Sequence, residues 1–175
     1  MGYDMYWEQP PGNLAELSTE ADRLWEEADR LHKTEPEQAK ALVGRGGELY
    51  GRYIKGAEKC GAYFRANVWG MRSLRAEMEV QGMLDLREVE PTPGKGIPPI
   101  DFRAAEPVTG MPIRKFCSND DWLVHPEEIR AALAKAKRER IVKEQDWPEA
   151  EANVFWGEWL DWLAKAAEYG GFRVR

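Results

Sequence analysis

Between Cys117 and His125 the chain reads Cys-Ser-Asn-Asp-Asp-Trp-Leu-Val-His, where a nucleophile, carboxylates and an imidazole crowd together. A Cys-His pair needs the imidazole within hydrogen-bond reach of a partly exposed thiol and a third group to orient it, a role open to Asp120 or Asn119. That is the catalytic alternative, a small hydrolase or transferase working through Cys117, Asp120 and His125. The same residues have a plainer reading. A cysteine following Phe116 in a strand-like run is a small buried hydrophobe, and a histidine before Pro126-Glu-Glu128 is a helix cap. The plainer reading is preferred, so no catalytic residue is assigned. Asp120, Asp121, His125 and Glu128 would suit a hard or borderline cation, but two histidines in the whole chain leave little for zinc or iron. No metal and no cofactor are expected. His125-Pro-Glu127 matches half of a zinc deaminase signature whose P-C-x-x-C half is missing downstream. No GxxxxGK[ST], GxGxxG or GxSxG occurs, which argues against a standard phosphate loop, a dinucleotide fingerprint and a nucleophile elbow.

The aromatic excess is the better clue. Eight tryptophans stand among 175 residues, and Trp7, Trp25, Trp69, Trp122 and Trp147 fall at the ends of predicted elements. There, large rigid rings with a polar tip suit recognition, although filling a core is an equally ordinary use. The ligand-binding candidates are therefore Tyr63, Arg65, Asn67 and Trp69 at a helix entry, with Asn119, Asp120 and Trp122 at a turn. The net charge of -6 disfavours nucleic acid and anionic lipid. Lys135, Lys137, Arg138, Arg140 and Lys143, with Arg114 and Lys115, could meet phosphates. Their many glutamate neighbours favour a solvated face instead. Cys60 and Cys117 are the only cysteines and form no CxxC, a usage that fits a reducing compartment. With no targeting signal and no apolar run of about 20 residues in view, a cytoplasmic protein is expected.

These residues must be held by something, and the dominant element is the C-terminal helix from Phe155 to Tyr169. A turn of about 100° per residue gathers Phe155, Trp156, Trp159, Leu160, Trp162, Leu163, Ala166, Ala167 and Tyr169 on one face, opposite Glu158, Asp161, Lys165 and Glu168. Ahead of it, Asn13 and Glu16 read as the cap of a helix with Leu14, Leu17, Ala21, Leu24, Ala28 and Leu31 along one seam. Thr34-Glu-Pro-Glu37 reads as a second capping box, opening a helix to about Cys60 that carries Gly44, Gly46, Gly47, Gly51 and Gly56. Either a close neighbour compensates for those glycines or the helix is broken. Tyr63 to Met71 leads into a third helix with Val68, Met71, Leu74 and Met78 as its core face. A proline-rich loop follows at about 90–112. Ile113–Cys117 and Trp122–Val124 then read as a small hairpin, joined by an N-terminal strand or by Phe172–Arg175. His125 caps a helix running through the basic residues to Lys143, and Asp146-Trp-Pro-Glu149 restarts the chain.

At Tyr63–Met71, at Phe116–Val124 and at Trp162–Phe172 the chain resembles a group of uncharacterised small proteins of actinobacteria and their phages. The resemblance implies a setting and no activity: accessory factors that bind a host protein, a defence component or a signalling nucleotide. The sequence thus predicts a mainly α single domain, 1–175, of about five helices with a small β-hairpin or short sheet. It predicts a non-enzymatic binding or sequestering protein whose partner is a protein or small-molecule ligand, with a homodimer open. A phage structural or assembly component is the second alternative.

Overall fold

A computed structural model describes residues 2–87, 109–118, 120–141 and 149–175, residues 149–155 through their backbone alone. Asn119, Trp147, Lys143, the Asp146 cap, the Phe155 side chain and most of the proline-rich loop lie outside the described residues. Among those described, five α-helices account for most of the ordered chain, and the strands outnumber a hairpin.

The chain divides into two compact units. Residues 9–63 hold two helices packed against each other, α1 (Leu14–Leu31) and α2 (Pro36–Cys60), with Ala21, Leu24 and Ala28 facing Ala39, Gly46, Tyr53 and Ala57 in the seam. Helix α2 runs unbroken through its glycines. A Cβ on Gly46 would lie 2.6 Å from the Trp25 indole nitrogen and one on Gly56 2.3 Å from a Leu14 methyl, so both are close approaches. The expected caps differ in detail. Asn13 sits at the N-cap of α1 without a side-chain bond, and α2 starts from Glu35 with Pro36 in its first turn, so Thr34 caps nothing.

Residues 2–8 and 64–175 build the other unit around a four-stranded sheet. Its strands are β1 (Gly2–Trp7), β2 (Tyr63–Asn67), β5 (Trp122–Val124) and β6 (Phe172–Val174), in the order β2-β1-β6-β5. Strand β6 is antiparallel to both neighbours, aligning Trp7 with Phe172 and Val124, and Met5 with Val174 and Trp122. Period-two alternation puts all six of those side chains on one buried face. A short parallel ladder joins β3 (Leu84–Asp85) to β4 (Met111–Pro112).

Helix α5 (Glu149–Ala166) lies at the centre of this unit's core. Trp156, Trp159, Leu160, Trp162, Leu163, Ala166 and Ala167 are buried, while Glu158, Asp161, Lys165 and Glu168 are exposed, as the periodicity predicts. Trp159 and Trp162 stack at 5.5 Å, Phe64 lies 5.1 Å from Trp159, Phe172 meets Trp162 edge-on at 5.0 Å, and Tyr169 stacks on Trp7 at 4.6 Å. Gly171 turns the chain from α5 into β6 at φ +92°, where a Cβ would sit 2.1 Å from the Val124 carbonyl oxygen. Only glycine fits there.

Three expectations are corrected. The hairpin does not form: Ile113–Phe116 is a 3₁₀ turn, and Trp122–Val124 pairs with β6 instead. Winding that run brings Lys115 and Phe116 both inside, which a strand's alternation would forbid. Helix α3 (Val68–Val80) buries Met71, Leu74, Glu77 and Met78, but Val68 is exposed in its first turn. Helix α4 (Pro126–Leu133) stops before Lys135, Lys137, Arg138 and Arg140, so these four share no helix face.

Candidate functional site

In the Cys117 to His125 stretch, Asp121 to His125 serve the fold. The His125 backbone N–H donates to Glu128 at 2.9 Å in a capping box that opens α4, the plainer of its two readings. Cys117 departs from its plainer reading as a small buried hydrophobe: it is exposed, because the run before it winds into a 3₁₀ turn, and its Sγ contacts the Ile113 carbonyl at 3.4 Å. Asp120 is exposed. Asp121 adopts φ +60° and clasps both Arg173 and Arg175, a left-handed backbone that aspartate tolerates better than most residues. Trp122 is buried, its indole N–H donating to Ser118 Oγ at 3.0 Å and its ring lying 5.6 Å from the Arg114 guanidinium. Among the described residues no group of three His, Cys, Asp or Glu is arranged to hold a metal ion.

The helix-entry residues behave differently. Tyr63 opens β2 half-buried, Arg65 is largely exposed and pairs with Asp4 at 3.7 Å, and Asn67 caps α3 by accepting the Gly70 N–H at 2.7 Å. Trp69 is 63% exposed beside exposed Val68, with Arg72 exposed one turn along. Strands β2 and β5 form opposite edges of the sheet with two strands between them, a span of about 14 Å at ordinary strand spacing. The two candidate groups therefore do not converge on one ligand, and Trp122 belongs to the core.

Polar pairings that the sequence did not disclose carry much of the local electrostatics, and Lys115, expected on a solvated face, is buried instead. Lys115 and Glu128 form a fully buried ion pair, Nζ lying 2.9 Å from both carboxylate oxygens and 2.7 Å from the Leu123 carbonyl. Burial pulls the lysine below its ordinary pKa, and the Glu128 hydrogen bond opposes that pull. On the other side of the sheet Arg173, aligned between Tyr6 and Leu123, bridges Glu8 and Asp121. Asp85 is bonded by Arg87 and Thr109, and the Arg87 hydrogen bonds hold its carboxyl well below the usual range. Glu77, fully buried on α3, accepts the Ile141 N–H and the Gln81 amide. One sign of this was legible, since Glu77 interrupts the apolar spacing of Met71, Leu74 and Met78.

No helix of the described residues is long and apolar enough to cross a membrane. No protein-family model matches this chain, and neither a curated protein nor a solved structure shows significant similarity to it.

Proposed function

We propose that the protein is a non-enzymatic binding protein that occupies or sequesters a partner through the entry of α3, with Trp69 as its anchor. The observation that carries this reading is the exposure of Trp69. Of the seven described tryptophans five are buried, yet this indole stands 63% exposed on a regular helix with Val68 beside it. Isolated exposed apolar residues are ordinary, but an exposed tryptophan with an arginine one turn along its helix has the composition of an interface hot spot. Arg72, exposed one turn along α3, adds positive charge to that surface, which suits a partner offering an apolar pocket rimmed by carboxylates. The setting implied by the resemblance, an accessory factor in an actinobacterium or its phage, is compatible with such a partner. On this reading Cys117, Asp120 and His125 have no catalytic part.

Native mass spectrometry of the protein gently purified from an actinobacterial lysate tests the proposal, with Trp69→Ala alongside. A stoichiometric partner retained by the wild type and lost by the folded Trp69→Ala protein is the expected result. A bare chain in both preparations, or a partner retained equally by both, overturns it.

A further inference from the structure

Residues 137–141 follow α4 without continuing it, although Ala134-Lys-Ala-Lys-Arg138 is rich in helix formers. Their main chain is bonded instead by side chains from distant parts of the sequence. The Lys137 N–H donates to Gln81 Oε1 at 2.5 Å, and the Trp156 indole N–H donates to the Lys137 carbonyl at 3.0 Å. Gln81 Nε2 donates to the Glu139 carbonyl at 3.3 Å, and the Ile141 N–H donates to Glu77 Oε1 at 2.7 Å. A 2.6 Å hydrogen bond from Gln81 Nε2, at the C-cap of α3, to Glu77 Oε1 fixes the two side chains to each other. The three side chains that bond the segment's main chain, Glu77, Gln81 and Trp156, are all buried.

The segment's own side chains do little in return. Lys137, Arg138, Glu139 and Ile141 are exposed, and only Arg140 turns inward, donating to Ser73 Oγ at 3.1 Å and lying 3.6 Å from Glu77. Arg138 pairs with Asp161 on the exposed face of α5. The segment is thus held by main-chain hydrogen bonds and two arginines, with almost no apolar area. Contacts of that kind recognise a peptide's backbone while tolerating its sequence.

We propose that Glu77, Gln81 and Trp156, with Asp161 beside them, form a peptide-binding seat that residues 137–141 fill in cis. Its partner is a basic, non-helical segment of another protein that presents two arginines one residue apart and displaces the cis strand. The chemistry of the occupant is set by what it replaces, Lys137-Arg-Glu-Arg-Ile141, against Glu77, Asp161 and a chain of net charge -6. Exchange leaves no buried donor or acceptor unpaired, because the incoming backbone offers the same groups. Glu77 and Gln81 lie on the buried side of α3 and Trp69 on its exposed side, so this seat stands or falls independently of the Trp69 surface.

The test uses a capped, fluorescent peptide of residues 135–141 and the full-length protein. Lys137→Pro removes the cis segment's donor to Gln81 and leaves the seat untouched. Weakening the cis segment reduces the competition that lowers apparent affinity, so Lys137→Pro is expected to bind the peptide about three- to tenfold more tightly than wild type. The gain should vanish in Lys137→Pro/Gln81→Met and with a peptide whose two arginines are alanine, and should survive Trp69→Ala. Equal binding by wild type and a folded Lys137→Pro protein overturns the proposal. Should Lys137→Pro not fold, hydrogen exchange of the wild type decides. Millimolar peptide must speed exchange at the Lys137 and Ile141 amides while α3 stays protected, and unchanged protection there overturns the seat.

Discussion

Lys115 sits where few lysines do, fully buried, with its ammonium shared between Glu128 and a main-chain carbonyl of β5. An ion pair in such a place adds little over well-packed apolar side chains, yet it is costly to break, because the remaining charge stays buried. Lys115→Met should therefore destabilise the protein by about 3–5 kcal/mol, and adding Glu128→Leu should recover most of that loss, measured as urea midpoints. The recovery is limited by the capping box that Glu128 makes with His125. The pH dependence follows from the direction of the lysine's shift. Since burial lowers the folded-state pKa, the unfolded chain holds this proton more tightly. The pair's contribution to stability then rises as pH climbs from that depressed value to the ordinary lysine value of about 10.4. The double variant should lack that rise. A double variant no more stable than Lys115→Met alone would show that Glu128 is not the source of the penalty.

At the scale of the element, α2 makes the sharpest distinction among residues of one kind. Gly46 packs under the rigid Trp25 indole, whereas Gly56 meets the movable end of Leu14, and nothing lies within 4 Å of a Cβ at Gly44, Gly47 or Gly51. Alanine at Gly44, Gly47 or Gly51 should stabilise by about 0.5–1 kcal/mol each by restricting the unfolded chain. Gly46→Ala should destabilise, and Gly56→Ala should fall between them. Thermal melts of the five single variants check the order, and a gain at Gly46 would contradict the packing. The sequence disclosed that these glycines needed compensation but not which of them received it, because that depends on where α1 lies. The same limit explains the other departures. The α5 face was legible because its signal is local, a 3.6-residue period written in tryptophan. Strand-like Ile113–Cys117 became a 3₁₀ turn because Lys115 has its partner thirteen residues on, and helix-prone Ala134–Arg138 unwound because Gln81 and Trp156 take the main-chain groups of Lys137. Of the candidate site, Asn67 and Trp69 were placed correctly at a helix entry. Trp122 was not separable from the core, since a tryptophan after a turn reads alike whether its ring faces in or out.

For the whole molecule, the decisive feature is that the last strand is an inner one. Strand β6 pairs with β1 on one side and β5 on the other, and the Gly171 carbonyl accepts the Glu8 N–H where α5 ends. The chain's first residues are thus aligned by its last, with Asp4 and Arg175 exchanging both main-chain hydrogen bonds. Such long-range pairing is slow to form, because loop closure must come before any reward from contact, whereas α1 and α2 are neighbours in sequence. Deleting Phe172–Arg175 removes the strand between β1 and β5, the Phe172 ring against Trp159 and Trp162, and the Arg173 bridge from Glu8 to Asp121. The truncated chain should lose the near-ultraviolet circular dichroism of its stacked tryptophans while keeping much of its far-ultraviolet helical signal, the behaviour of a chain that keeps helices without fixed packing. Arg173→Ala removes the bridge alone and should keep the near-ultraviolet spectrum at a cost of about 1–3 kcal/mol. A truncated protein that retained both spectra would mean that α5 and the remaining strands can bury their aromatic face unaided, and that β6 is an edge in energy even though it is central in topology.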